Sequence, residues 1–277
     1  MSTKALVSIV VPVFNGENHL DELIDSLLTQ THTNLEIIFT EGGGTDTSEQ
    51  IIRARKDPRI TLIPSESRIT AAENWTKATL AATGDYIKLV CQDDLLAPDC
   101  IEKQLADLQA NPGAVMAIAQ RDVIDRNSKV LYPKRGLTGL KQQIIRGSEV
   151  INTCYLQGTN VIGEPLAVLF RREPLLAAMP WTDDNPLMLD LNTYQKVAPQ
   201  GEVVTRHESV GAFRVSTSSW STRLAKLQLE QTRQWQYAYA AENPQTRAQR
   251  ARAALGRHVQ VNMRRAAYAV LKAKGAF

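Results

Sequence analysis

Long apolar runs are missing from this chain of 277 residues. No stretch approaches the roughly 20 consecutive apolar residues that a membrane-spanning helix needs. The N-terminal ALVSIVVPVF is short, is broken by Ser8 and Pro12, and lacks a small-residue cleavage site, so it reads as a buried strand rather than a signal peptide. Cysteine is scarce as well. Cys91, Cys100 and Cys154 form no spaced pattern, which argues against a disulfide framework or a cysteine-held structural metal and for a reducing, cytoplasmic compartment. Internal repeats and low-complexity tracts are absent too. What is there, 43% hydrophobic and 22% charged residues, is the composition of a globular protein with a large core in one or two domains.

Net charge is also low, at +3, but it is unevenly spread. Residues 221–277 hold eleven Lys or Arg against Glu230 and Glu242, a local +9 that leaves −6 for residues 1–220. Such asymmetry can mark a contact with an anionic surface. Two helices are expected in this tail, about 221–241 and 245–274, broken at Asn243-Pro244. On the second, Leu255, Val259, Met263, Ala266 and Val270 share one face, with Arg250, Arg257, Arg264, Arg265 and Lys272 roughly opposite. Two uses fit that wheel. The helix docks on the main domain or on a second copy, or it meets anionic lipid at the inner face of the cell membrane and takes no part in chemistry. Nucleic acid is not an expected partner, because the tail holds no recognised reading module.

Residues 1–220 begin as an alternation of short apolar runs and helical periodicity. Strands are expected at 5–13, 35–40, 60–63, 85–90 and 114–119. Helices are expected at 17–31, 46–56, 69–82 and 98–110, with Asp46 placed to cap the second and Pro98 suited to the first turn of the fourth. Strands separated by helices imply parallel pairing through right-handed crossovers. The nearly continuous apolar runs at 5–13 and 35–40 suit strands covered on both faces. Beyond residue 120 the pattern loosens: DVIDRNSKVLYP reads as a hairpin, LAVLF at 166–170 as a strand, and 187–197 as a helix.

Two stretches stand out chemically. In GDYIKLVCQDDLLAPD a strand runs straight into Asp93 and Asp94. The carboxyl end of a parallel strand is where an open α/β sheet holds its ligand. Adjacent carboxylates there repel unless a cation is present, and Mg2+ or Mn2+ typically takes one or two protein carboxylates plus substrate phosphates. The same pair also fits a polar turn ahead of the helix after Pro98. The other stretch is FTEGGGTDTS, three glycines between a strand and a helix. It lacks the Lys and the spacing of a P-loop, and GGG is not GxGxxG, so it is not a phosphate cradle.

Four segments, in this order and spacing, resemble family 2 glycosyltransferases of the GT-A fold: VSIVVPVFNGENHLDELIDSLLTQTHTNLEIIF, TEGGGTDTS, SRITAAENWTKATLAATGDYIKLVCQDD and MPWTDDNPLMLDLNTYQKV. The resemblance covers about residues 5–220. It implies an α/β fold with a Rossmann-like, mostly parallel sheet flanked by helices. Residues 1–120 would form a nucleotide-binding half and 121–220 an acceptor half, followed by a helical extension over 221–277. It implies inverting transfer of a sugar from a nucleoside-diphosphate sugar, UDP foremost, to a hydroxyl of a glycan or lipid-linked acceptor, with Mn2+ or Mg2+ on the diphosphate. Carried over position by position, Asp94 is the implied metal ligand and Asp93 lies near the ribose or sugar. Pro12, Phe14 and Asn15 line the nucleotide pocket and Arg68 contacts the base. Asp190 takes the acceptor proton; Asp183 and Asp184 are rivals that read better as a polar turn. RHESVGAFRVSTSSWS resembles a segment that closes over the diphosphate. The family's Arg-x-His is here Arg214-Val215-Ser216, which leaves Arg214 to neutralise phosphate and His207 as a weaker candidate ligand. QGTNVIGEP falls where members shape the acceptor pocket and offers Asn160 and Glu164.

The chain departs from the family pattern twice. Leu189 stands where Glu usually precedes the base, and Gly42 stands where the second Asp of the nucleotide-base loop usually faces the base. The flexible glycines are expected to swing Glu41 toward the base instead. These losses keep a non-catalytic nucleotide- or glycan-binding relative as an alternative. A nucleotidyltransferase would usually show a Gly-rich, Lys/Arg-bearing signature after the first strand, and PVFNGEN has none.

Overall fold

The computed structural model describes residues 5–215 and 227–273. The chain begins with β1 (Val7–Val13), α1 (Leu20–Leu28), β2 (Leu35–Glu41), α2 (Ser48–Ala54), β3 (Ile60–Ile63), α3 (Ala71–Leu80) and β4 (Tyr86–Leu89). Every residue of β1 is buried, as suits a strand covered on both faces. Val7, Ile9, Val11 and Val13 share a core with Leu20, Leu23, Ile24 and Leu27 of α1. Val10 belongs to the opposite layer, with Ala72 and Ala78 of α3. β1 pairs in parallel with β2 and β4, and β2 with β3. α3 opens on a reciprocal cap: Thr70 Oγ1 accepts the Glu73 amide at 3.2 Å and the Glu73 carboxylate accepts the Thr70 amide at 2.7 Å. Asp46 accepts the Ser48 amide at 3.0 Å and the Glu17 amide at 2.9 Å, so it braces the start of α2 and ties the β1–α1 loop to it.

The chain continues through β5 (Leu95–Leu96), α4 (Cys100–Ala110), β6 (Ala114–Ile124), β7 (Val130–Arg135), β8 (Ile144–Arg146), α5 (Gly147–Gln157) and β9 (Val168–Arg171). After these come α6 (Arg172–Ala177), α7 (Leu189–Val197), β10 (Glu202–Arg214), α8 (Gln228–Glu242) and α9 (Arg247–Ala273). The ten strands among the described residues form one sheet, ordered β3-β2-β1-β4-β9-β6-β10-β5, with β7 added to β6 and β8 to β10. The long ladders β1–β2 and β6–β10 are parallel, and β9 enters antiparallel between β4 and β6. The α/β sheet flanked by helices therefore matches the expected class.

Five of the described elements were not expected from the pattern: β5, β8, α5, α6 and β10. β10 is concealed because its register shifts between Arg206 and Ser209 and again before Ala212. Each bulge breaks the period of two by which a strand announces itself. The first part of the expected 221–241 helix lies outside the described residues.

Candidate active site at the carboxyl ends of β1, β2 and β4

β2 and β4 flank β1 on opposite sides, so the order of strands reverses there and a crevice opens beyond their carboxyl ends. Three loops meet at it. Gln92 ties two of them: its Oε1 accepts the Phe14 amide at 2.6 Å and its Nε2 donates to the Phe14 carbonyl at 2.9 Å. Asn15, at φ 51, ties the third, its Oδ1 accepting the Thr45 amide at 2.9 Å. The Arg68 guanidinium lies 4.9 Å over the Phe14 ring. Gly43 has φ +81, and a Cβ on it would lie 2.6 Å from the Arg68 backbone. Conformation and close approach both demand glycine at that position.

Gly42 has a different reason. A Cβ there would lie 2.9 Å from Asn74 Nδ2. Asn74 occupies that space, donating to the Val13 carbonyl at 3.0 Å, and its Oδ1 is buried with no partner. Glu41 departs from its expected role. Its carboxylate is buried and turned onto its own loop, where it accepts the Gly43 amide at 2.8 Å and the Gly44 amide at 2.7 Å. It braces the glycines, and the buried acceptor without a partner beside position 42 belongs to Asn74. Pro12 is buried within β1 opposite Thr40. It lies beyond the last β1–β4 pair, Val10 with Leu89, so its missing N–H leaves no rung of that ladder unfilled.

Asp94 follows β4 and is fully buried. Its Oδ1 accepts the Arg214 amide at 3.1 Å, and its Oδ2 has no partner. Burial, and then the charge of Asp93, push the Asp94 carboxyl well above its usual range. Burial raises Asp93 as well. Arg214 is held inside the protein. Its side chain is fully buried and donates to the carbonyls of Asp93 at 2.8 Å and Asp125 at 3.1 Å and to Ser128 Oγ at 2.9 Å. It also pairs with Glu22 at 2.7 Å. As placed, it presents no exposed donor to a phosphate and acts as a strut behind Asp93 and Asp94. Of the segment expected to close over the diphosphate, residues 216–221 lie outside the described residues, and His207 is exposed on β10.

Asp190 stands in the first turn of α7. It accepts the Leu191 amide at 2.7 Å and Asn160 Nδ2 at 2.8 Å. Asn160 is itself fixed, its Oδ1 accepting the amides of Ile162 at 3.0 Å and Gly163 at 3.1 Å. Expected on an acceptor, Asn160 instead holds Asp190. Burial pushes the Asp190 carboxyl up to about 7, with the Glu164 charge adding to it and the Leu191 and Asn160 hydrogen bonds opposing. Glu164 pairs with Arg121 of β6. Burial would raise the Glu164 carboxyl, but the Arg121 charge and hydrogen bond leave it below its ordinary value. The charge of Glu164 acts on both Asp94 and Asp190, so the two acidic sets lie near one another. Tyr194, one turn beyond Asp190, is fully buried with its hydroxyl unpartnered. Asp183 and Asp184 lie on the loop before Pro186, and Asp184 is exposed.

Gln92, Asn74, Arg121 and Tyr194 were not singled out from the sequence. Gln92 adjoins the acidic pair, and a two-ended amide there was the one available signal. The others meet the site only through the folded sheet.

The acidic pair fits part of a divalent cation's shell. The buried, unpartnered Asp94 Oδ2 and the neighbouring Asp93 are hard oxygen donors that a cation would satisfy. Among the described residues, no group of three or more His, Cys, Asp or Glu is arranged to hold a metal. The remaining ligands would come from substrate phosphates and water, as suits Mg2+ or Mn2+.

Known proteins resemble this chain at several levels. Residues 8–176 match the family model described as Glycosyl transferase family 2. Glycosyltransferase GlyG of Streptococcus pneumoniae is 33% identical over 113 residues, which are 40% of this chain and 38% of GlyG. The chain thus spans less than half of that curated relative. The mannosyltransferase PcManGT of Pyrobaculum calidifontis, solved with GDP-Man and Mn2+, has a TM-score of 0.64 at 17% identity, covering 99% of this chain and 80% of its own. TarS of S. aureus, solved with UDP-GlcNAc, has a TM-score of 0.62 at 14% identity, covering 82% and 66%. At these identities the structural likeness is one of fold, the GT-A fold.

Proposed function

This chain belongs to glycosyl transferase family 2, and from that premise we propose that it is an inverting enzyme moving a sugar from a nucleoside-diphosphate sugar to a hydroxyl of a glycan or lipid-linked acceptor. One observation carries the reading: an acidic pair, Asp93 and the fully buried Asp94 whose Oδ2 has no partner, lies near a carboxyl, Asp190, raised to about 7.

The donor base lies against the Phe14–Arg68 pair, beside Asn15. Asn74 Oδ1 accepts from its N–H edge, which suits uracil and makes UDP the foremost donor nucleotide. Asp93 faces the ribose or sugar hydroxyls. Asp94 and Asp93 would hold the cation, and a bound Mn2+ or Mg2+ would neutralise the charge that develops on the leaving diphosphate. Asp190, near its midpoint at neutral pH, takes the acceptor proton as the oxygen attacks the anomeric carbon from the face opposite the diphosphate, which inverts that carbon. Asn160 and the Leu191 amide keep its two oxygens aimed. Glu164 and Arg121 form the neighbouring wall on the acceptor side.

The apolar stripe of α9 adds a location. Leu255, Val259, Met263 and Val270 are exposed, with Arg252 and Arg265 exposed beside them. We assign this face to an anionic membrane surface, where a lipid-linked acceptor would be held. Among the described residues, no helix is long and apolar enough to cross a membrane.

Thermal shift with UDP and with GDP, each with and without Mn2+, tests the donor reading. Wild type is expected to gain a few degrees with UDP and Mn2+ together, and Asp94→Asn to lose the Mn2+-dependent part. Equal shifts with and without Mn2+ in both proteins would remove the metal assignment. No shift with either nucleotide would remove the donor assignment.

A further inference from the structure

Two arginines of the basic face of α9, Arg257 and Arg264, are turned inward. Ala253 and Val261 are buried and Arg257 and Arg264 are half-buried on the same side, whereas the apolar stripe is outside. A surface helix normally buries its apolar stripe. Backbone contact sets the opposite choice here. Gly158 ends α5 at φ +62, and a Cβ on it would lie 2.4 Å from the Arg257 amide nitrogen. A Cβ on Gly256 would lie 2.7 Å from the Gln157 carbonyl oxygen. Gln236 of α8 bonds Arg257 and donates to the carbonyls of Tyr155 at 2.7 Å and Ala253 at 3.1 Å. These contacts fix the register of α9 on α5.

About 12 Å along α9 from Gly256 stands Arg264. Its guanidinium donates to Thr159 Oγ1 at 2.5 Å. Thr159 immediately precedes Asn160, whose amide holds Asp190 at 2.8 Å. We propose that Arg264 is a positioning residue for Asp190, holding the Thr159–Asn160 corner, so that the C-terminal helix is part of the catalytic unit.

Several other groups face Asp190 from the elements around it. Glu164 stands in the loop before β9, with Arg121 of β6 paired to it. Cys91 follows β4, Cys154 lies on α5 and Tyr194 on α7 itself. Glu164 opposes ionisation of Asp190. Arg264 favours it, and lowers Glu164 as well.

The inference rests on Asp190 as the base, but it can be read on the carboxyl itself. In the full-length protein labelled with 13C at aspartate carboxyls, the Asp190 signal is identified by its loss in Asp190→Asn, and its midpoint is followed with pH. Arg264→Gln is expected to raise that midpoint by roughly half a unit or more, and Arg264→Lys to keep most of the wild-type value. Thr159→Val removes the hydroxyl that Arg264 bonds while keeping every charge, and is expected to move the midpoint in the same direction. It decides the matter where Arg264→Gln does not fold. An unmoved midpoint in Arg264→Gln, or in Thr159→Val where that variant decides, overturns the proposal. So does an Arg264→Lys midpoint displaced as far as that of Arg264→Gln. Full release of UDP from UDP-GlcNAc by Asp190→Asn would instead sink the base reading alone.

Discussion

The residue scale is clearest at position 42, where a missing side chain changes the duties of two others. Without a Cβ at Gly42, Asn74 fills the space and keeps a buried oxygen unpartnered, while Glu41 closes on the Gly43 and Gly44 amides. Removing each group should therefore have a different effect. Asn74→Ala is expected to weaken UDP binding in the presence of Mn2+ about 10-fold, the worth of one lost hydrogen bond to a buried donor. Glu41→Ala leaves two loop amides without their carboxylate, and is expected to lower the melting temperature more than the affinity. Calorimetric titration well below the melting range separates the two. A Glu41→Ala protein with unchanged melting and lost affinity would return base reading to Glu41. Asp190 is tested in the same spirit. Asp190→Asn should cut turnover by roughly 10² or more at intact nucleotide affinity, while the wild-type rate rises with pH through about 7. A variant that keeps most activity would move the role to another group. The positions of Asp93, Asp94 and Asp190 were legible because each lies at the end or start of a periodic element. The duties of Asn160, Arg214 and Glu41 were not, since only the folded chain shows what each side chain already holds.

At the scale of elements, the half built from β1 to β4 announced itself, because continuous apolar strands separated by capped amphipathic helices admit few other arrangements. The second half did so only in part. The 122–133 hairpin, the 166–170 strand and the 187–197 helix were readable, but β5 has two residues and β10 changes phase at its bulges, so neither holds a period long enough to read. α9 shows a subtler failure. Its amphipathic period was visible, yet the apolar stripe faces outward because the glycine contacts at α5 fix the inward face first. The outward stripe gives a prediction at this scale. The protein is expected to bind vesicles containing anionic lipid, with binding that weakens as salt rises. Val259→Glu with Met263→Glu should abolish it without altering the nucleotide-dependent thermal shift. Wild-type protein that ignores such vesicles even at low salt would assign the stripe to another partner.

For the molecule as a whole, the site runs against the usual electrostatic economy of a folded protein. Several carboxyls that fold into contacts are held down, as Asp57 is by Arg59, to about 2, and Glu36 is by its hydrogen bonds from Ser8, Thr83 and Gly84 in spite of partial burial. Their stabilisation is present above the unfolded value and is lost on acidification. Asp93, Asp94 and Asp190 are raised, so their sign is opposite. Their contribution is complete below the unfolded value of 3.8 and is lost as pH climbs through the folded one, which for Asp190 is about 7. An asparagine at 190 carries no such dependence. Metal-free Asp190→Asn is therefore expected to gain on wild type between pH 5 and 8, by roughly 1–3 kcal/mol across that interval, and to be the more stable protein at pH 8. Denaturant melts of both proteins at four or five pH values in a chelating buffer would show it. Mn2+ with UDP should then stabilise wild type more at pH 8 than at pH 5, because the cation favours the ionised Asp93 and Asp94 that burial opposes. Parallel stability curves for wild type and Asp190→Asn would mean that Asp190 titrates as an ordinary surface aspartate. A general base tuned to neutral pH could then not reside there.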